Sequence, residues 1–98
     1  MVRVEVRLPI VLQKIGGAPK SVQIGASTVG QALRELERLY PSLEGRVTDK
    51  RGQLNQFMIV FLRDLDVRAL EGLDTALNEG DVLSLLLAVA GGSENRAS

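Results

Sequence analysis

The chain has 98 residues, 45% of them hydrophobic, which is enough for one compact domain with a single core. Its 12 Lys and Arg balance its 12 Asp and Glu, so no net field draws it onto nucleic acid or an anionic membrane. Cysteine and histidine are both absent, which removes disulfides, thiolate nucleophiles, the usual zinc sites and the one side chain that titrates unperturbed near neutrality.

Val2, Val4, Val6 and Leu8 alternate with Arg3, Glu5 and Arg7, the period of two expected of a strand with one wet face. This charged opening has no unbroken apolar run of the kind a signal peptide needs. Gly16-Gly17-Ala18-Pro19 signals a turn, and residues 21–24 alternate again, so the opening predicts a hairpin with its loop near residues 14–19. Val29, Ala32, Leu33, Leu36 and Leu39 or Tyr40 then follow three-and-four spacing, which predicts an amphipathic helix over Val29–Leu39. Thr28 and Gln31 form a T-x-x-Q capping box, and Pro41 marks the stop.

Residues 42–55 are polar and broken by Gly45 and Gly52, which predicts a loop carrying one helical turn. The run from Phe57 to Leu62 is continuously apolar, as in a strand covered on both faces. Residues 63–66 read as a turn, residues 67–69 as a short returning strand and residues 72–77 as one helical turn. Asn78-Glu79-Gly80-Asp81 is a strong turn signal before a last strand over Val82–Leu87. The longest apolar runs, residues 57–62 and 85–90, fall far short of the ~20 residues that span a bilayer. A cytoplasmic, soluble protein is expected. The carboxylate pairs Glu35 with Glu37, Asp64 with Asp66 and Glu79 with Asp81 fall in segments that read as solvated helix or turn, not as a catalytic dyad.

The order strand, strand, helix, strand, short strand, strand predicts an α+β domain, a β-grasp in which one main helix packs on a mixed sheet of four to five strands. A ferredoxin-like order would need a second full helix between the later strands. Residues 1–87 are expected to form the domain, residues 88–92 a flexible diglycine tail and residues 93–98 a C-terminal extension.

At the end of the last strand, Ala88-Val89-Ala90-Gly91-Gly92 follows Glu79-Gly80-Asp81-Val82, and together with Leu8-Pro9, the Thr28, Gly30, Leu33 pattern and the 64–68 turn this resembles the ubiquitin-like sulfur carriers of the MoaD and ThiS family, most closely the CysO type. The resemblance covers residues 2–92. It implies that Gly92 is the adenylation and thiocarboxylate site, that a ThiF/MoeB-like adenylating enzyme activates it with ATP, and that a sulfur-accepting biosynthetic enzyme such as a cysteine synthase receives the cargo. The resemblance also implies a carrier that is not itself an enzyme and is expected to bind no cofactor. The need for glycine has its own physical reason: a carboxylate entering a narrow channel requires a slim tether, and five extended residues, Ala88, Val89, Ala90, Gly91 and Gly92, reach ~17 Å. This chain departs from the family by continuing past Gly92, so an amide blocks adenylation until the bond between Gly92 and Ser93 is cut. Some family members that this chain resembles rely on a JAMM-type metalloprotease for such a cut, which is what the resemblance implies here; a cloning remnant is the other reading of residues 93–98. Many relatives also have proline where this chain has Leu87.

Matching the 57–62 run to the family places Met58, Val60 and Leu62 inward and Ile59 and Phe61 outward. In the last strand, Ser84 suggests that Val82 and Leu86 also face away from the helix. Ile59, Phe61, Val82 and Leu86 thus form an expected apolar partner surface, with a homodimer contact or a covering loop at residues 42–55 as the alternatives. Three functions compete: sulfur carrier feeding cysteine, molybdopterin, thiamine or thiolated-tRNA synthesis; ubiquitin-like modifier joined through Gly92 to lysines; and plain interaction module.

Overall fold

The structure is a computed structural model and describes residues 1–88. Strand β1 (Val2–Arg7) buries Val4 and Val6 and leaves Arg3 and Arg7 exposed, as its alternation requires. It pairs antiparallel with β2 (Ser21–Ala26) in a register running from Val2 opposite Ala26 to Arg7 opposite Ser21. The two strands are the arms of the expected hairpin, but the connection contains a helix, α1 (Ile10–Gly16), where only a loop was expected.

Tertiary packing explains α1. Ile10, Val11 and Ile15 are β-branched and poor helix formers, so the local preference is weak. Pro9 leads into the first turn, Leu12 is buried, and Gly17 closes the helix at φ 65°. A Cβ on Gly16 would lie 2.9 Å from Cγ of the buried Leu43, so glycine here permits the close approach of α1 to the turn Pro41–Leu43.

Helix α2 (Val29–Leu39) has the predicted bounds and buries Val29, Ala32, Leu33 and Leu36. Its cap differs in one detail: Thr28 Oγ1 accepts from the Gln31 amide at 3.2 Å, whereas the Gln31 side chain accepts from the Ser27 amide, one residue before the box position. The following loop does contain a helical turn, at Pro41–Leu43, and it is anchored: Leu43 and Val47 join the core. Thr48 donates from its amide (3.0 Å) and its hydroxyl (2.7 Å) to the carboxylate of Glu37 on α2.

Strand β3 (Met58–Leu62) turns into β4 (Leu65–Asp66) through Arg63 and Asp64, both at positive φ, 52° and 66°. A two-residue hairpin loop of this kind needs left-handed backbone at both positions. The returning strand therefore lies at Leu65–Asp66, earlier than the 67–69 expected. The Asp66 side chain accepts from the Arg68 amide at 2.8 Å and bends Val67–Ala69 into a 3-10 turn. The later helical turn spans Gly72–Asp74. Strand β5 (Val82–Leu87) closes the sheet, whose order is β2-β1-β5-β3-β4, with β5 parallel to β1 and antiparallel to β3. Val4, Val6, Leu83, Leu85, Met58, Val60 and Leu62 belong to one core cluster with the apolar face of α2. A mixed five-stranded sheet around one long helix, with the last strand in its middle, is the β-grasp arrangement.

Candidate functional site

Because β5 is central, the chain beyond it starts from the middle of one sheet end. The Ala88 amide donates to the Phe57 carbonyl at 2.7 Å, so pairing continues one residue past β5 and pins the root of the tail to the start of β3. Ala88 is exposed. The other expected tail residues, Val89, Ala90, Gly91 and Gly92, and the expected cleavage partner Ser93 lie outside the described residues.

The expected partner residues share one sheet face. Ile59 stands opposite Leu86, and Phe61 stands opposite Ser84 between Val82 and Leu86. Leu86 is 46% exposed, while Ile59, Phe61 and Val82 are half-buried; the outer face of β3 is therefore not covered as a strand buried on both sides would be. The 42–55 loop does not supply a cover, since its apolar Leu43 and Val47 are committed to the core on the opposite face.

Charge rims this face. Arg7, Arg63, Asp64 and Asp81 surround Phe61, Val82 and Ser84 in a shallow depression of about 340 Å³. Arg7 pairs with Glu5 at 2.8 Å, and Arg63 reaches Asp81 through Nε (3.2 Å) and Nη2 (2.8 Å). Burial pushes the Asp81 carboxyl up, but the Arg63 hydrogen bond, the Asn78 amide and the Arg63 charge outweigh it and hold the group below its ordinary value. The two ion pairs leave an apolar centre with a nearly neutral border.

None of the carboxylate pairs converges on a reaction centre. Glu35 pairs with Arg38, Asp66 caps its own turn, and Glu79 accepts from the Arg3 amide at 3.0 Å. Glu37 is buried on the Thr48 bonds, against the expectation of a solvated group. Among the described residues, no three acidic side chains gather as metal ligands would. No described helix is long and apolar enough to cross a membrane.

A second apolar surface near the tail root escaped the sequence reading. Val11 (51% exposed) and Ile15 of α1, Phe57 (49% exposed) and Leu87 line a groove of about 200 Å³, with Arg46 and Asn55 at its rim. The signal was present in the apolar Ile10, Val11 and Ile15, but without the helix there was no face to assign them to.

The sequence model of the ThiS family matches residues 6–92. The sulfur carrier protein CysO of Mycobacterium tuberculosis is 37% identical over 91 residues, covering 91% of this chain and 98% of that protein. Among solved structures, a chain of the Amycolatopsis orientalis BexX/CysO complex is similar with a TM-score of 0.81 and 34% identity, covering 91% of this chain and 99% of that one. The small archaeal modifier protein 1 of Methanosarcina acetivorans is similar with a TM-score of 0.83 and 26% identity, covering 94% and 98%.

Proposed function

Given that this chain belongs to the ThiS family, whose CysO-type members are small sulfur carriers, we propose that its Gly92 carboxylate carries sulfur as a thiocarboxylate once residues 93–98 are removed. The observation that carries this reading is the position of β5: the central strand ends at the diglycine tail, beside an apolar sheet face. A JAMM-type metalloprotease hydrolyses the bond between Gly92 and Ser93 and exposes the carboxylate. A ThiF/MoeB-like enzyme lets a carboxylate oxygen attack the α-phosphorus of ATP, releasing pyrophosphate. A sulfide-level donor then attacks the acyl carbon, AMP leaves, and the thiocarboxylate remains. The chain contributes no catalytic side chain. Its lack of cysteine suits the role, since no internal thiol can attack the activated acyl group.

The sheet face of Ile59, Phe61, Val82 and Leu86 is the surface offered to the adenylating enzyme, and the CysO-type similarity favours a cysteine synthase as recipient of the sulfur. That a CysO protein occurs in a complex with BexX supports docking of a separate partner. The chain trimmed at Gly92 is incubated with the adenylating enzyme, ATP and a sulfur donor; its intact mass should rise by the difference between sulfur and oxygen. An unchanged mass would falsify the carrier function.

Similarity to an archaeal modifier protein favours a second reading, conjugation of Gly92 to lysines of target proteins. Higher-mass adducts that survive reducing agent would mark that activity, and a single clean band of a tagged copy would exclude it.

A further inference from the structure

The groove between α1 and the start of β3 lies on the helix side of the tail root, whereas the Ile59 and Leu86 face lies on the other. Leu86 and Leu87 are consecutive and point to opposite sides of the sheet. Leu86 is exposed on the outer face and Leu87 lines the groove. Apolar surface therefore flanks the root on both sides, joined through two adjacent residues.

We infer that the adenylating enzyme closes around the tail root, seating an apolar side chain in the groove of Val11, Ile15, Phe57 and Leu87 and an acidic one against Arg46. The inference rests on the Gly92 activation proposed above. Its basis is reach. Four residues separate Ala88 from the Gly92 carboxylate, which gives at most ~13 Å of extended chain. An enzyme that encloses the carboxylate within that distance must bring the walls of its channel against both sides of the root. Those walls meet what is already exposed there: Val11 and Phe57, each about half exposed, and Ile10 at 66%.

The groove is also a fixed surface. Gly16 packs on Leu43 and anchors α1, and the Ala88 to Phe57 hydrogen bond fixes the opposite wall. A preformed apolar slot loses little freedom on binding. Arg46 forms no ion pair among the described residues, so a carboxylate facing it gains a partner without displacing one.

The test measures ATP–pyrophosphate exchange by the ThiF/MoeB-like enzyme of the same organism, with the carrier trimmed at Gly92. Val11→Glu and Phe57→Ser should each raise KM for the carrier roughly tenfold or more, with kcat within about twofold. Leu65→Glu is the control: Leu65 is 51% exposed on β4, at the far end of β3 from Phe57, and its KM should not move. Circular dichroism and melting curves establish that the variants are folded. Unchanged KM in both groove variants overturns the inference while leaving the carrier function standing. A lower KM in Val11→Glu would mean that the chain's own tail occupies the groove, and a dimer that this variant splits would mean a second copy does; either result overturns it. A wild-type chain that never exchanges pyrophosphate removes the function itself, and this inference with it.

Discussion

Ile59 and Leu86 stand directly opposite each other across the β3–β5 ladder, on the sheet face turned away from α2. Leu86 is nearly half exposed, so its side chain gives the fold little and is available to a partner. Leu86→Asp should cost stability about 1 kcal/mol or less, the worth of one cross-strand pair. The same variant should raise KM for the carrier in adenylation roughly tenfold. Parallel melting and pyrophosphate-exchange measurements check both halves. A loss of exchange that merely tracks unfolding would remove Leu86 from the partner surface.

The Thr48 bonds to Glu37 hold the 42–55 loop against α2. Thr48→Val deletes the hydroxyl donor and leaves a buried carboxylate oxygen short of a partner, at a cost of about 1–3 kcal/mol. Urea unfolding should show the loss, and limited proteolysis should begin in this loop. A variant as stable as the parent would mean that water replaces the hydroxyl.

Gly16 and Gly17 should fail for different reasons. Gly16→Ala drives a methyl group against Leu43 inside the core and should cost about 1–3 kcal/mol through displacement of α1. Gly17→Ala meets nothing within 4 Å, yet its φ of 65° penalises any side chain by about 1–2 kcal/mol. Only the first should alter the environment of Leu43, which methyl chemical shifts would report.

Acid should weaken the Arg63–Asp81 link. The folded carboxyl sits below its ordinary value, so its stabilising contribution is complete above about pH 4 and disappears as pH falls through the depressed value. Arg63 is 47% exposed, which limits the pair to about 1 kcal/mol or less. Arg63→Ala should therefore be less stable than the parent at neutral pH and converge with it in strong acid. Denaturation curves across that range test the sign: a gap that widens toward low pH would contradict it.

How far the sequence could be read followed the scale of the forces involved. Helix α2 and strand β5 were legible to the residue because Val29, Leu33 and Leu36, or Leu83 and Leu85, repeat with the period of the element that buries them. Helix α1 was illegible because it spans only 7 residues, is rich in β-branched side chains and depends on the distant Leu43. The β3–β4 turn slipped because Arg63 and Asp64 adopt left-handed backbone without the glycine that usually announces it. Glu37 looked solvated because its partner Thr48 lies 11 residues away, beyond any local pattern. At the candidate site, alternation alone separated Leu86 from Leu85, but the groove beside the tail root required α1 to be known first.

The placement of β5 also governs how the carrier bears force. An enzyme that draws the tail into a deep pocket pulls along the axis of a strand bonded to β1 on one side and β3 on the other. Such a load shears many backbone bonds at once, whereas an edge strand would be peeled one bond at a time. A pull on the end of this strand is thus resisted by two ladders together and not by one bond at a time.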